Sequence, residues 1–513
     1  MRLLPDGKLY RALVLGAVAM ALAVGTFFAL KPVFTDDPSC AAGVERRGAR
    51  GECTGVTDGG FHFTAALARV SRQIKAENDR VAGDKPVTVA LMIPMISNNP
   101  AEQHEFTEQV QGAYLAQYRA NHESNGQRPP IRMLLANPGR NYEFWQPVAE
   151  QLAAAATTSE NLRAVAGINI SLKETERAVA FLTRTKGIPV VAGPMTADDI
   201  MNSATRPRAY PGLARVAPSN SDQAAALGSF GSHIKPSETM VVEDIRDDDN
   251  YLATLRRTFE KLAEGAPNAP ETFRSPADFN EEGNLANDFH QMVPDICSSD
   301  AKTIYFAGRP VQLRQFLTEL GERNCNKHYT VISGSHASTL TVDSRFRDRW
   351  RALTTGAGIT VRYAALAHPD AWARGGPETP GGSKAAYRQL ADLARRLGNN
   401  SATGIGPVSL SDSRTIITYD SVTTAITGIR NNTVGKVEVP TLSEVTNSWL
   451  RLHGGNRVNG ASGWICLDQY GNPHNKAVPI VHLDPATRTA VFDHLAWPEG
   501  RAPDPNCSIR TGR

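Results

Sequence analysis

The stretch RAVAGINISLKETERAVAFLTRTKGIPVVAGPMT, from Arg163 to Thr196, contains one pattern twice. An apolar run ends in Gly167 and Ser171 follows shortly; after a helix-like segment, a second apolar run ends in Gly193 and Thr196 follows. Glycine allows a tight turn or a close approach of the backbone. The repeat predicts two neighbouring strands that end at the same edge of a sheet. The hydroxyls then belong either to two ordinary strand-to-helix turns or to two sides of a polar ligand site.

The sequence on either side of this stretch continues the alternation of strands and helices. Buried-strand patterns occur at Val87–Ile93, Ile131–Ala136, Met240–Val242, Thr303–Phe306 and Tyr329–Ser333. Helical periodicity occurs at Ala101–Ala120, Phe144–Thr157, Tyr251–Leu262, Val311–Leu320, Lys384–Leu397 and Ile416–Arg430. Strands that alternate with helices of this length predict βαβ units and parallel sheets. The order of the segments predicts two α/β halves joined by short crossings.

Length, charge and motifs exclude several classes of function. The 513 residues suffice for two or three domains, and the net charge of +3 is spread along the chain, which argues against nucleic acid as a partner. The sequence contains neither G-x-S-x-G nor H-E-x-x-H nor G-x-G-x-x-G, so we expect no enzyme activity and no cofactor or metal. The adjacent aspartates Asp247, Asp248 and Asp249 are expected to form a solvated loop.

The N-terminus contains a candidate membrane span. Ala12–Leu30 is an uncharged run of 19 residues, preceded by the basic residues Arg2, Lys8 and Arg11. This length crosses the hydrocarbon core of a bilayer, and the positive-inside rule places residues 1–11 in the cytoplasm. We therefore expect a single-pass signal anchor at 12–30, with the bulk of the chain outside the cell. The alternative is a signal peptide that is cleaved before secretion.

The six cysteines are expected to form disulfides in an exported chain. Residues 31–85 are interpreted as an extracellular stalk. Proximity in sequence suggests pairing within each of three regions, although six cysteines allow many connectivities. The cysteines of the three regions are Cys40 and Cys53, Cys297 and Cys325, and Cys466 and Cys507.

Several motifs, taken in order, resemble one family. Val87–Pro94 precedes QGAYLAQYRAN (Gln111–Asn121), and the opening repeat precedes YPGLARVAPSNSDQAAAL (Tyr210–Leu227). TYDSVTTAI (Thr418–Ile426) and GASGWICLDQYGNPHNKAVPI (Gly460–Ile480) follow. Over residues 87–485 this order resembles the type I periplasmic-binding-protein fold, specifically the branched-chain amino-acid (Leu/Ile/Val) substrate-binding proteins of ABC transporters.

The resemblance implies a fold and its division along the chain. It implies two doubly wound parallel-sheet lobes joined by a multi-strand hinge, preceded here by the transmembrane helix. The expected divisions are 86–216 for the first part of lobe 1, 217–350 for lobe 2, 351–440 for a return to lobe 1, 441–485 for a closing helix and hairpin that contribute to lobe 2, and 486–513 for a tail.

The resemblance also implies a ligand site in a cleft between the lobes. Ser171, with neighbouring N–H groups, and Thr196 would hold the carboxylate of a ligand, and Tyr251 would be an aromatic clamp. Leu252 follows this tyrosine where the family usually has glycine. The remaining expected lining residues are Ser97, Asn98, Gly308 and Ser335.

The implied function is that of a membrane-tethered extracellular solute-binding protein for a small amino-acid-like or amide ligand. Its partner would be an ABC permease or a membrane signalling protein. The alternative is an extracellular interaction or scaffold domain that kept the fold without binding a small molecule.

Overall fold

The structure, a computed structural model, describes residues 39–509 apart from 232–233, 348, 351–352, 354–355, 375–378 and 434–438. The expected membrane anchor at 12–30 lies outside the described residues. Among those that are described, no helix has the length and apolar character needed to cross a membrane. The described chain forms two α/β lobes, each built on its own sheet.

Lobe 1 contains an eight-stranded sheet in the order β1-β2-β3-β5-β4-β6-β7-β8. Its strands are β1 (Ser39–Ala41), β2 (Val44–Arg47), β3 (Glu52–Thr57), β4 (Val87–Met92), β5 (Ile131–Asn137), β6 (Leu162–Gly167), β7 (Val190–Ala192) and β8 (Leu213–Arg215). Its first helices are α1 (Ala68–Val81), α2 (Pro100–His122), α3 (Trp145–Thr157) and α4 (Lys173–Ala180). The strands from β5 to β8 are parallel, and all six residues of β4 are buried, as expected when helices cover both faces.

The predicted stalk is instead part of lobe 1. In the described part of 31–85, β1, β2 and β3 form an antiparallel extension of the sheet, and β3 pairs with β5. Helix α1 packs against the same lobe through the buried residues Val70 and Ile74. These strands were not predicted because this part of the sequence is rich in Gly and Arg and the strands are short. Strand β2 also has two exposed charged residues.

Lobe 2 contains a seven-stranded sheet in the order β10-β9-β11-β12-β13-β16-β17. Its strands are β9 (Thr239–Asp244), β10 (Glu271–Phe273), β11 (Thr303–Ala307), β12 (Tyr329–Ser333), β13 (Ile359–Ala364), β16 (Val478–Asp484) and β17 (Thr489–Ala496). Its helices are α5 (Asn220–Phe230), α6 (Asn250–Leu262), α7 (Leu285–Ser298), α8 (Pro310–Gly321) and the short α9 (Ser344–Arg347). Because β16 and β17 are antiparallel to their neighbours in lobe 2, as β1–β3 are in lobe 1, both sheets are mixed and not purely parallel as expected.

The chain returns to lobe 1 after β13 and leaves it again before β16. The returning elements are α10 (Pro369–Ala373), α11 (Lys384–Leu397), α12 (Arg414–Arg430), α13 (Leu442–Ser448) and the hairpin β14 (Val458–Gly460) and β15 (Gly463–Ile465). The hinge therefore has three crossings, which follow β8, β13 and β15. Buried residues Val445 and Ile465 belong to the core of lobe 1, so the closing helix and hairpin pack on lobe 1 and not on lobe 2.

Two other expected boundaries differ from the structure. Strand β13 belongs to the sheet of lobe 2, so lobe 2 extends beyond 350. Residues 489–496 of the expected tail form β17, which pairs along its length with β16. Strand β13 pairs with β16, which is distant in sequence, and β17 extends the sheet from β16; sequence periodicity does not reveal to which sheet such strands belong.

Buried Asp420, in the TYDSVTTAI motif of α12, holds the closing hairpin. Its carboxylate accepts hydrogen bonds from the backbone N–H groups of Ala461 and Ser462 at 2.8 Å each, and from the Ser462 hydroxyl. Burial lowers the pKa of the neighbouring Lys476 to about 8, although the charge of Asp420 opposes this shift. A Cβ at Gly460 would lie 2.5 Å from a carboxylate oxygen of Asp420, so only glycine fits there.

The three disulfides pair as sequence proximity suggested: Cys40 with Cys53, Cys297 with Cys325, and Cys466 with Cys507. The first joins β1 to β3 at the edge of lobe 1, and the second joins α7 to the segment that follows α8. The third joins the end of the hairpin to the C-terminal segment, so each bridge fixes a peripheral part of the fold.

Candidate functional site

A narrow cavity lies between the two lobes, at the carboxyl ends of their parallel strands. This edge is where ligands bind in open α/β sheets. Lobe 1 contributes the turns after β6 and β7 and one face of α2, and lobe 2 contributes the starts of α6 and α8 and the segment after β12. The lobes are closed on each other: the N–H of Tyr251 donates to the carbonyl of Ser171 at 3.0 Å.

Four of the seven predicted site residues line this cavity. They are Ser171, Thr196, Tyr251 and Ser335. The Ser171 hydroxyl accepts a hydrogen bond from the N–H of Ala197 at 3.3 Å, so the two turns of the opening repeat contact each other. Gly167 has φ = +95°, and an added Cβ would lie 2.8 Å from Leu91, which explains the glycine at the end of β6.

The other three predicted residues lie beside the cavity. Ser97 and Asn98 precede α2; the Ser97 hydroxyl accepts from the N–H of Asn99, and Asn98 is exposed. Gly308 is buried against Phe306, where an added Cβ would lie 2.3 Å from the ring. Its neighbour Arg309 is the residue of this turn that lines the cavity.

Arg309 is held by a buried acidic partner and two aromatic rings. Its guanidinium donates to both carboxylate oxygens of Asp249, at 2.9 Å and 2.8 Å. It stacks between Tyr251 and Phe279, each with a distance of 4.6 Å from the guanidinium carbon to the ring centre. Asp249 is fully buried, so it is not part of the solvated loop that the three adjacent aspartates predicted. The Arg309–Asp249 pair instead fixes the wall of lobe 2.

Glu105 of α2 is the fixed negative charge of the cavity. Burial would raise its pKa, but the charge of Arg414 and hydrogen bonds from His336 and Thr339 lower it to about 2. Arg414 Nη2 lies 3.2 Å from the carboxylate. Because Arg309 donates to His336 Nδ1 at 3.2 Å, this imidazole is neutral and presents Nε2–H towards Glu105. Burial lowers the pKa of His336 to about 4.

Glu102, one turn earlier on α2, is the titratable carboxyl of the cavity. Burial raises its pKa to about 7, although a hydrogen bond from Asn280 of lobe 2 opposes the shift. The Asn280 side chain donates to Glu102 at 2.9 Å. This contact joins the two lobes at the cavity wall, so the charge of Glu102 changes at a point of lobe contact.

Four buried polar atoms of residues in the cavity wall have no hydrogen-bond partner. They are the hydroxyl oxygen of Tyr251, the amide oxygens of Gln109 and Asn169, and Nε of Arg414. A buried polar group without a partner costs about 1–3 kcal/mol, so native proteins rarely leave several together. Gly334 leaves space for the Tyr251 hydroxyl, because an added Cβ would lie 2.2 Å from it. The atoms are placed to contact a polar molecule in the cavity.

Solved structures similar to this one belong to ABC-transporter binding proteins. A leucine-binding protein LivK from Thermotoga maritima MSB8 is 16% identical, with a TM-score of 0.56 over 80% of this chain and 99% of that chain. A substrate-binding protein from Desulfitobacterium hafniense in complex with Leu is 14% identical, with a TM-score of 0.56 over 80% and 100%. A solute-binding protein from Rhodopseudomonas palustris HaA2 in complex with p-hydroxybenzoic acid is 13% identical, with a TM-score of 0.55 over 80% and 96%.

The chain has the type I periplasmic-binding-protein fold. No protein-family model and no curated protein matches the sequence. At these low identities the similarity concerns the fold, and the binding-protein fold places its cleft where the cavity lies here.

The charged residues of this binding-protein cleft were not predicted from the sequence. Glu102, Glu105 and Gln109 share one face of α2, which reads in sequence as an ordinary solvent-facing stripe. The signal that could have revealed them is this spacing of three and four residues together with Phe106 on the same face. Arg309 directly precedes α8, and Arg414 is the first residue of α12. The sequence around each arginine does not distinguish it from an arginine on the surface.

Proposed function

We propose that the chain is an extracellular solute-binding protein whose two lobes close around a small polar ligand. The observation that carries the proposal is the set of unpartnered polar atoms of Tyr251, Gln109 and Asn169, which face one cavity between closed lobes. A ligand that supplies both hydrogen-bond donors and acceptors would satisfy all three.

The charges of the cleft favour an amino-acid-like or amide ligand. The amide oxygens of Gln109 and Asn169 accept hydrogen bonds, and Glu105 is anionic, so this side of the cavity suits an ammonium or amide N–H group. The hydroxyls of Ser171 and Thr196 suit a carboxylate at the start of α4. Several binding proteins of the same fold bind carboxylic acids, namely leucine and p-hydroxybenzoic acid, which supports this class.

The proposal is tested by a thermal-shift screen of L-amino acids, primary amides and aromatic carboxylic acids. A ligand at about 100 times its Kd stabilises the folded state by about 2.7 kcal/mol. For the compound that binds, Ser171→Ala and Thr196→Ala should each raise Kd about tenfold or more, because a hydrogen bond to a charged group contributes about 1.5–3 kcal/mol.

Thr157→Ala is the matched control, since this exposed threonine at the end of α3 lies outside the cavity and should leave Kd unchanged. Equal affinity of all three variants for a ligand that binds the wild type would contradict the proposed site while leaving the fold intact.

One observation favours the alternative of a scaffold domain without a ligand. The two sides of the cleft bond directly to each other, through Tyr251 N–H to the Ser171 carbonyl and through the N–H of Lys173 to the Asp248 carbonyl at 3.3 Å. A scaffold held closed in this way would show no stabilisation by any compound of the screen. It would also show no effect of the two hydroxyl substitutions on its stability or shape beyond that of the Thr157 control.

We further propose that residues 12–30 tether the protein to the cell membrane, where an ABC permease or a signalling partner receives the closed form. The apolar length and flanking charges of this run support a retained anchor. Full-length protein should remain in the membrane fraction after carbonate extraction, whereas a chain that begins at Lys31 should be soluble. A mature protein with its N-terminus near Lys31, recovered from the medium, would show that the run is a cleaved signal peptide.

A further inference from the structure

A group of metal-ligand side chains lies in lobe 1, on the flank of α2 next to the cleft. His104 and Glu108 are one helical turn apart on α2, and Asp412 belongs to the segment that leads into α12. A nitrogen of His104 and one oxygen from each carboxylate all lie within 4.8 Å of one another. The Nε2 of His104 lies 3.1 Å from Oε1 of Glu108.

The two carboxylates are buried, and one oxygen of each has no partner. Glu108 is 2% exposed and Asp412 is 3% exposed. Oε1 of Glu108 lies beside the His104 nitrogen, and Oδ1 of Asp412 accepts from the N–H of Arg414 at 2.9 Å, whereas Oε2 of Glu108 and Oδ2 of Asp412 receive no hydrogen bond. Burial of such oxygens is costly unless a donor or a cation meets them. The two unpartnered oxygens are a second observation, independent of the spacing, that indicates a ligand.

The local charge has the value that a divalent cation would neutralise. Glu105, Glu108 and Asp412 are three neighbouring carboxylates, and Arg414 is the guanidinium that lies among them. When Glu108 and Asp412 are both ionised, as metal binding requires, Arg414 compensates one of the three negative charges and leaves two. The imidazole of His104 is half exposed, so this side of the group is open to an ion from solvent.

We propose that His104, Glu108 and Asp412 bind one first-row divalent transition-metal ion, for which Zn²⁺ is the natural candidate outside the cell. One imidazole and two carboxylates suit Zn²⁺, which takes three protein ligands and a water in open sites, whereas Ca²⁺ and Mg²⁺ prefer oxygen ligands alone. Bonds of about 2 Å require the three side chains to draw together slightly, and rotation of the exposed His104 provides this movement.

The ion would join two elements that form the cleft. It would fix α2, which carries Glu105 and Gln109, to the segment that carries Arg414. The site is distinct from the proposed solute site, because none of its three ligands lines the cavity. Its test therefore does not depend on whether a solute binds.

The test uses purified full-length protein, stripped with a chelator and titrated with Zn²⁺. Native mass spectrometry and calorimetry should show one Zn²⁺ per chain, and the melting temperature should rise with Zn²⁺. Loss of an outer-shell partner typically costs 10–100-fold in metal affinity, so loss of a direct ligand in His104→Ala, Glu108→Gln or Asp412→Asn should cost at least about a hundredfold.

His482→Ala is the matched control. His482 Nδ1 lies 2.6 Å from Asp493 in lobe 2, a histidine–carboxylate pair outside the proposed site, and this variant should retain Zn²⁺ binding. Because His104 is exposed, the His104→Ala variant should fold normally. It therefore still tests the proposal if a carboxylate variant does not fold.

The melting temperatures of the wild type and Asp412→Asn, compared with and without Zn²⁺, distinguish a metal site from a pair of carboxyl groups that share a proton. Without metal, Asp412→Asn should melt at or above the wild-type temperature, because it removes a repulsive charge; with Zn²⁺ the order should reverse. Absence of stoichiometric Zn²⁺ in the wild type, unchanged binding in His104→Ala, or equally tight binding of Mg²⁺ and Ca²⁺ would each overturn the proposal.

Discussion

At the scale of single residues, the cleft keeps most of its charges in fixed partnerships. Asp249 holds Arg309, and Arg414 and His336 hold Glu105 in its ionised form. Glu105 does not titrate near neutral pH, because these partners lower its pKa to about 2. Glu102 differs, since burial raises its pKa to about 7 and Asn280 is its hydrogen-bond donor from the opposite lobe.

Glu102 should therefore make stability fall as the pH rises towards neutrality. The pKa of Glu102 is about 7 in the folded chain, compared with the ordinary value of 4.5 for a glutamate that is exposed to solvent. The folded state binds the proton more tightly, so the stabilisation is complete below pH 4.5 and disappears as the pH passes through about 7. The difference corresponds to about 3 kcal/mol.

Urea unfolding of the wild type and Glu102→Gln at pH 5 and pH 8 measures this effect. Between pH 5 and pH 8, the free energy of unfolding of the wild type should fall by up to about 3 kcal/mol more than that of the variant. Glu264→Gln, at an exposed glutamate, controls for removal of a negative charge and should follow the wild type. A Glu102→Gln variant with the pH dependence of the wild type would refute the assignment.

At the scale of elements, the sequence predicts those parts whose signal is local. The helices α2, α6, α8, α11 and α12 and the buried strands β4, β5, β9, β11 and β12 lie where periodicity placed them, because apolar spacing alone specifies them. Strands β1–β3 were not predicted because they are short and rich in Gly and Arg, and the places of β3 and β16 in their sheets depend on the distant partners β5 and β13. The polar face of α2 was not recognised as part of the cleft because its buried glutamates contact the other lobe and residues near α12, which no local pattern indicates.

The closing hairpin shows the same limit, because two motifs recognised separately prove to be one structure. Asp420 of α12 accepts three hydrogen bonds from residues 461–462, and none of its oxygens faces the cleft. Asp420→Asn replaces the charged acceptor of three hydrogen bonds with an amide and removes the negative charge that opposes the effect of burial on Lys476. A hydrogen bond to a charged group contributes about 1.5–3 kcal/mol, so weakening three of them should cost at least about 3 kcal/mol.

Urea unfolding should show this loss, and a second substitution separates its two causes. Ser462→Ala removes one hydrogen bond and should cost only about 1.5–3 kcal/mol. Asp420→Asn combined with Lys476→Met removes the uncompensated charge and should recover part of the stability. A loss below 1 kcal/mol in Asp420→Asn would show that the hairpin is held mainly by apolar packing.

At the scale of the whole molecule, two lobes are joined by three crossings, and the proposed function requires them to open and close. The closed arrangement is held by direct contacts between lobes outside the cavity. Arg140 of lobe 1 pairs with Asp278 of lobe 2 at 3.2 Å, with 12% and 14% of their side chains exposed. Asn250 of lobe 2 donates to Glu176 of lobe 1 at 3.1 Å. These contacts set the closing equilibrium without touching the proposed ligand atoms.

Arg140→Ala should therefore weaken solute binding through closure alone. Loss of a partly buried ion pair between the lobes should shift the equilibrium by about 1 kcal/mol towards the open form. Because apparent affinity falls with the fraction of binding-competent molecules, Kd should rise about fivefold. X-ray scattering should show a larger radius of gyration in the free variant than in the free wild type, and the two should converge when ligand is saturating.

Arg132→Ala is the control, since Arg132 pairs at 2.8 Å with Glu160 inside lobe 1 and should leave both Kd and shape unchanged. Identical scattering of the free Arg140→Ala variant and the wild type would show that the closing equilibrium does not depend on this pair.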